Sequence, residues 1–500
     1  MKHKFIYNPT VLILLLVAVN IISYFVFARI DLTTNKKYSL SPVSKNMIKK
    51  VDKDISVTLF ISEGLSQDKV KIGREFKHLL KEYKTISNKS FTITTINPDT
   101  DAKELLALES GIHPFPQESA EGHMVKVQKI YFGAIIKIGN KRSVIPLITQ
   151  HTPLEYEVTR MLKEACDTVK PKIGFLFGHN EMLLGSQLTQ LNLELSRNAQ
   201  VEHMHIDQFT DLNDYKVICI VGPKDSFGKE EINRLQQYLQ QGGRLFIALQ
   251  HAIGQLNSSQ SNGFINRVGI EDMLENFGLK INYDFVVDNY CGQIRVQSQG
   301  PFYRHRVEIS FPYIPAIQKF SSHVITKGLN IISLPFASSM TNVKTTSAYT
   351  FIPLAQTSPL SGVQEVPVFF DIQKTWTKHD FNRPNNVVAA LLNNEDNKSA
   401  IIAISNASFM EDYDYDALRL DNIRFAINSI EWLADDSGLI KLRNKYFVNQ
   451  TLEPVSNSYR TFLKYFNFFL PIVITLLIAL FQYRQYKIKR QRRSQSGYID

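Results

Sequence analysis

Two uncharged runs, Val11–Ala28 and Phe466–Tyr483, bracket a chain whose intervening positions switch between period-2 and period-3.6 hydrophobic patterns. At about 1.5 Å per residue, each run of 18 residues makes a helix about 27 Å long, close to the hydrocarbon thickness of a bilayer. The second run ends in Arg484, Lys487, Lys489, Arg490, Arg492 and Arg493, as a membrane span does and a core helix does not. A cleaved signal peptide is the rival reading of the first run, since Val26-Phe27-Ala28 satisfies the small-residue rule. Its length beyond the usual apolar stretch favours an anchor.

Between the runs, Ser41-Pro42 reads as an N-cap followed by the first helical residue. Ile55, Val57, Leu59 and Ile61 alternate as in a strand, and Val70, Phe76, Leu79, Leu80 and Tyr83 mark an amphipathic helix. Phe91, Ile93 and Ile96 predict a second strand, and residues 102–108 a short helix. Gly139-Asn140 predicts a hairpin turn between residues 124–138 and 141–148. A helix follows to about Ala165. Strand, helix, strand, helix, hairpin, helix is the order of a thioredoxin-like layer, here without a cysteine before Cys166.

Pro171 opens a second pattern. Continuous apolar strands over 172–177, 201–206, 217–221 and 244–249 alternate with helices over 186–197 and 229–241, predicting an open parallel α/β sheet. From Asn282 the pattern loosens: Asp284–Asp288 reads as a strand, and the Pro-, Ser-, Thr- and Asn-rich stretches that follow make about 284–385 read as an irregular insertion. A helix over 386–392, a strand over 399–405 and a helix over 421–433 complete this part. The predicted organisation is α/β: a cytoplasmic N-tail (1–10), a span (11–28), a thioredoxin-like domain (29–168), a second α/β domain (169–440), a linker (441–465), a second span (466–483) and a basic cytoplasmic tail (484–500).

Composition adds exclusions. With 44% hydrophobic and 21% charged residues, 500 residues make an ordinary folded chain, neither disordered nor fibrous. Of the net charge of +10, residues 1–10 hold +2 and residues 484–500 hold +5, leaving +3 for everything between. A near-neutral body lacks the basic groove that nucleic acid requires. The basic tail instead places both termini in the cytoplasm and the body outside it, on the periplasmic side of an inner membrane. Cys166, Cys219 and Cys291 form neither a redox pair nor a zinc motif.

Candidate chemistry is sparse. His179, Asn180 and Glu181 follow the strand 172–177, where such sheets bind ligands, and imidazole beside carboxylate is suited to acid–base work or ligand capture. A hydrogen-bonded loop is the plainer reading, because no serine or cysteine stands on a strand-to-helix elbow nearby. Residues 222–229 resemble a phosphate loop, but the glycine spacing fails and Glu230 replaces the hydroxyl residue. Asp412, Asp414 and Asp416 resemble the start of a calcium loop, but Ala417 replaces its glycine and Ile423 its final glutamate. No catalytic set, metal site or cofactor is expected. Asn20, a polar amide in the first run, is expected to face a partner helix.

Several segments, taken in order, resemble the Gld-type auxiliary, substrate-binding-like component of ABC transporters linked to gliding motility in Bacteroidota. They are Asp31-Leu32-Thr33, Lys37-Tyr38-Ser39-Leu40-Ser41, Gly178-His179-Asn180-Glu181, Asp421-Asn422, and Asn428 with Trp432-Leu433. The resemblance implies an ABC permease and a cytoplasmic ATPase as partners, with other gliding-machinery proteins in reach. It also implies a second domain like a class I glutamine amidotransferase without its catalytic cysteine. At Ile404–Phe409 the chain departs from the pattern, with Asn406 and Ser408 where relatives often carry acidic residues. An envelope hydrolase using His179 and Glu181, or a protein capturing a soluble ligand for import, are the alternatives.

Overall fold

Strand β1 (Ile55–Ile61) sends Ile55, Val57 and Leu59 to one face and Phe60 to the other, so helices cover both sides. The computed structural model describes Val17 and residues 39–495, apart from 122–123, 151, 167–169, 257–260, 300–303, 344–347, 413–419 and 444–455. The expected first span and Asn20 lie outside the described residues.

Helix α1 (Pro42–Lys50) is capped by the Ser41 hydroxyl, which accepts the Ser44 N–H. It packs with α2 (Gln67–Ile86) and, later in the chain, α4 (Leu154–Cys166) on the first face of β1, through Ile48, Phe76, Leu80, Val158 and Leu162. β2 (Phe91–Ile96) runs parallel to β1, and Ala107 of α3 (Asp101–Glu109) joins Phe60 on the second face. β3 (Phe132–Ile138) and β4 (Lys141–Ile145) are antiparallel neighbours, giving the order β2-β1-β3-β4. Gly139 turns between them at φ +56°, a conformation that suits glycine. Residues 124–138, read as one strand, are two. Met124–Ile130 pairs with Phe115–Glu121, and at Tyr131, which exchanges bonds with Ser62, the chain changes partners to β1.

The second sheet is built on β5 (Lys172–Leu176), followed by α5 (Thr189–Ser196), β6 (Gln200–Met204), β7 (Val217–Val221), α6 (Lys229–Gln240) and β8 (Arg244–Ala248). Next come α7 (Ile270–Asn276), β9 (Leu279–Ile281), β10 (Met340–Asn342), β11 (Val387–Asn393), β12 (Ala400–Ile404) and α8 (Leu420–Ala434). The order is β9-β10-β11-β12-β8-β7-β5-β6. β7 shows why its sequence is apolar throughout: Val217, Cys219 and Val221 meet the α5 and α8 side, while Ile218 and Ile220 meet the α6 and α7 side.

Three expectations are corrected here. The sheet is parallel only from β6 to β12; β11 and the strands beyond it are antiparallel. Residues 386–392, read as a helix, form β11. A six-residue apolar run, Val387–Leu392, has no decisive period, and pairing with both β12 and Thr350–Gln356 makes it a strand. The insertion 284–385 is largely β-structure. Asp284–Asp288 pairs with Ser361–Glu365, and Cys291–Gln299 with Arg304–Ile317, around Phe285, Phe311, Tyr313 and Phe370.

The residues up to Val448 form one compact unit and those from Asn449 another. The segment 441–465 is partly helical rather than a plain linker: α9 (Leu439–Arg443) closes the first unit and α10 (Asn457–Gln495) makes up the second. Within α10, Ser458–Gln491 is the one helix among the described residues long and apolar enough to cross a membrane. Pro471 lies inside α10. The Thr475 hydroxyl donates to the Pro471 carbonyl at 2.7 Å, next to the ring that withholds a backbone donor.

Candidate functional site

In the parallel part of the large sheet the strand order reverses at β5, whose neighbours are β6 and β7. Open α/β sheets bind ligands in the crevice outside the carboxyl ends of strands at such a point. Here the loops after β5 and β7 meet each other. The Lys224 and Asp225 N–H groups donate to the His179 carbonyl at 2.8 and 3.1 Å, and the Met182 N–H donates to the Val221 carbonyl at 3.0 Å. Asn180, in the left-handed region at φ 56°, donates through Nδ2 to Asp225 at 2.7 Å. Gly222 turns at φ +62° with Met182 and Ala407 beside it; an added Cβ would lie 3.0 Å from the Ala407 Cβ.

The structure brings His179 and Glu181 together and adds a third group, Glu231. The His179 N–H donates to Glu181 Oε2 at 2.7 Å, and its ring Nδ1 faces Glu181 Oε1 across 3.4 Å. Ring Nε2 lies 3.2 Å from Glu231 Oε2, an oxygen that also accepts the Gly228 N–H at the start of α6. The ring stacks on Phe227 with centroids 3.9 Å apart. An imidazole flanked by two carboxylates and backed by a phenyl ring is held by its own fold through Nε2, while Nδ1 and the Glu181 Oε1 facing it are buried without a hydrogen bond. Cys219, the nearest cysteine in sequence to these loops, is wholly buried inside β7, and burial pushes its thiol well above the usual range.

A second histidine follows the end of β8 and was not singled out from the sequence. His251 is buried; its Nδ1 lies 3.2 Å from Glu271 Oε1, and its ring is 4.3 Å from that of Tyr283. Glu271 also accepts the Val268 and Gly269 N–H groups at 3.0 and 2.6 Å, at the start of α7. Burial raises the Glu271 carboxyl, but the bonds from His251 and Val268 more than offset it and leave it below the usual range. Position after a strand was the signal that would have found His251; its partner 20 residues on has no recognisable spacing.

Other motif residues act as fasteners. Asp421 accepts the Asn330 and Ile331 N–H groups, and Asn422 bonds the Ser333 N–H, the Ser333 carbonyl and the Phe409 carbonyl. Asn428 donates to the Ile325 carbonyl. Asn406 accepts the Phe409 N–H at 2.7 Å and donates to the Pro335 carbonyl. Asp412 accepts the Thr189 and Gln190 N–H groups at the start of α5, whereas Asp414 and Asp416 lie outside the described residues.

Comparison with known proteins gives two family matches. The family described as an ABC-type uncharacterized transport system matches residues 170–429, and a domain of unknown function matches residues 34–137. A Borreliella burgdorferi protein named only "Uncharacterized protein" is 21% identical over 406 residues, covering 79% of this chain and 75% of its own. Among solved structures, the mmIFT52 N-terminal domain is 16% identical with a TM-score of 0.36, covering 52% of this chain and 96% of that one. A putative ThuA-like protein from Parabacteroides merdae is 13% identical with a TM-score of 0.28, covering 53% and 90%.

Proposed function

The chain belongs to the ABC-type uncharacterized transport system family as an auxiliary component, and from that premise we propose that it is a non-catalytic, membrane-anchored accessory subunit. In this reading it docks on an ABC permease whose cytoplasmic ATPase drives transport, in a Gld-type system of gliding motility. The ordered segments from Asp31 to Leu433 support the Gld-type assignment. The body, a thioredoxin-like domain over 29–168 and an amidotransferase-like domain over 169–440, lies on the periplasmic side of the inner membrane. Both termini are cytoplasmic, α10 is one anchor and Val11–Ala28 the other, with Asn20 against a permease helix. The strand order β2-β1-β3-β4 supports the first domain type, and the order β6-β5-β7-β8-β12 supports the second.

The observation that carries the non-catalytic reading is the closure of the strand-end crevice. His179 Nε2, the Asn180 amide and Glu181 Oε2 bond Glu231, Asp225 and the His179 N–H of this chain, so they fasten two loops together. The hydrolase reading loses support for the same reason, since Nε2 of its imidazole is taken by Glu231. The test is extraction from native membranes in mild detergent, with the chain tagged at its C-terminus. A complex with a polytopic permease and an ATPase is expected, and it persists in a His179→Gln, Glu181→Gln variant that remains folded. Recovery of the chain alone overturns the proposal.

A further inference from the structure

The first sheet ends in β2, a strand with no neighbour on its outer side among the described residues. Its sequence, Phe91-Thr92-Ile93-Thr94-Thr95-Ile96, has no charge, proline or glycine and is rich in β-branched residues. Outer strands of soluble proteins are ordinarily guarded against further pairing by charge, proline, a bulge or shortness. β4, at the other edge of this sheet, opens with Lys141 and Arg142; in the second sheet β6 carries Glu202, and the short β9 carries Lys280. β2 has none of these devices, and its pairing with β1 is regular from Phe91 to Ile96.

The pairing also fixes which backbone groups are left over. Ile55 stands level with Phe91, and its N–H donates to the Ser90 carbonyl. In a parallel ladder this phase turns the N–H and C=O groups of Thr92, Thr94 and Ile96 toward β1 and those of Ile93 and Thr95 outward. Ile93 is half-buried and Thr95 exposed, so this edge meets solvent, and no hydrogen bond among the described residues uses their backbone groups.

Helix α2 decides what can lie there. On the first face α2 packs against β2, whereas α4 packs against β3 and β4. One flank of α2 carries Glu82, which accepts the Leu40 N–H; the next N–H, of Ser41, goes to Glu155 of α4, so this flank faces α4. Arg74, Lys77, Lys81 and Lys84 follow one another at steps of three and four residues, a single stripe on the opposite flank. That stripe therefore stands over the outer edge of β2. Arg74, Lys81 and Lys84 are exposed and Lys77 half-buried, and none pairs with a carboxylate among the described residues. On the second face α3 brings Asp101 and Glu104. An uncharged strand edge with a row of cations on one side and carboxylates on the other is complementary to an extended chain whose alternate side chains are acidic.

We propose that β2 accepts an extended segment of a partner protein as an added strand, with acidic side chains under the α2 stripe and uncharged ones toward α3. Ile93 and Thr95 supply the backbone bonds, and Arg74, Lys77, Lys81 and Lys84 select the charge. The proposal stands apart from the transport role above, and its failure leaves that role untouched.

The experiment uses the full chain in nanodiscs of zwitterionic lipid and a fluorescent hexapeptide of alternating glutamate and valine, read by anisotropy. One control peptide has lysine for glutamate, and another is N-methylated throughout, which removes its backbone donors. Saturable binding of the glutamate peptide is expected, with Kd raised more than about tenfold for either control. Thr95→Pro and Ile93→Pro each remove one outward N–H and leave the ladder to β1 its donors, a change that outer strands tolerate. Each is expected to raise Kd more than about tenfold, as is Lys77→Glu combined with Lys81→Glu. Two proline variants are used so that one remains informative if the other fails to fold. Absence of saturable binding, equal affinity for either control peptide, or unchanged affinity in a folded proline variant overturns the proposal. So does a peptide-free dimer, weighed by mass photometry, that Thr95→Pro dissociates, since the occupant is then a second copy of this chain.

Discussion

Asp284 and Asp288 stand at the two ends of one buried strand and do the same work. Asp284 accepts the Ser339 N–H and hydroxyl at 2.7 and 2.6 Å; Asp288 accepts the Ser358 N–H and hydroxyl at 2.7 and 2.6 Å and the Tyr290 N–H at 2.9 Å. Burial raises both carboxyls above the usual range, and these hydrogen bonds offset only part of it. A carboxyl that holds its proton more tightly in the folded state stabilises the fold below its unfolded pKa. That contribution is lost as pH rises through the raised folded value. Each aspartate therefore opposes ordinary acid unfolding. The stability of the native chain relative to an Asp284→Asn variant is expected to fall as pH rises between about 4 and 7. Urea midpoints measured across that range check it; a difference that grows with pH contradicts the burial argument.

At the scale of elements, hydrogen-bond knots decide where helices lie. Glu155 on α4 is fully buried and accepts the Ser41 N–H and the Ser44 hydroxyl, both at 2.7 Å, while Thr159 on the next turn meets Ser44 and Tyr83. This knot joins the chain just after the Lys37–Ser41 motif to the first core. Asn422 does the equivalent for α8, with three bonds to backbone groups. Asn422→Ala leaves those groups without partners, at roughly 1–3 kcal/mol for each buried orphan, so a loss of about 3 kcal/mol is expected. Thermal unfolding measures it; a loss below about 0.5 kcal/mol would mean that the insertion holds α8 by apolar packing alone. The amphipathic helices α2 and α4 were legible because their residues repeat with a clear period, and the two-face-buried strands β5, β7 and β8 because they are short apolar runs alternating with helices. β11 was not, since its run Val387–Leu392, rich in alanine and leucine, suits a helix as well as a strand. In the insertion, Asp284–Asp288 was legible as a strand, but its partner at Ser361–Glu365 was not, because no local pattern reports so distant a pairing. At the candidate site, the strand-end position of His179 and Glu181 was visible, whereas Glu231 and Phe227 come to it through contacts between separate elements.

For the whole molecule, the distribution of charge and the distribution of apolar surface point the same way. The body buries its apolar strands between helices and carries little net charge, whereas α10 exposes Phe466, Phe468, Leu476, Leu477, Leu480 and Phe481 along its length. A helix with that much exposed apolar surface needs another apolar surface, and its dimensions fit a bilayer. Arg484 and Lys487 to Arg493 then resist crossing, which sets the side on which α10 ends. The orientation can be tested with single cysteines in a variant carrying Cys166→Ser, Cys219→Ala and Cys291→Ser. Ser66→Cys precedes α2 in the body, and Ser494→Cys lies near the end of α10. In intact spheroplasts a membrane-impermeant maleimide is expected to label the first and to reach the second only after permeabilisation. The opposite pattern would place the body in the cytoplasm, where the anchor still holds but the periplasmic accessory role cannot stand.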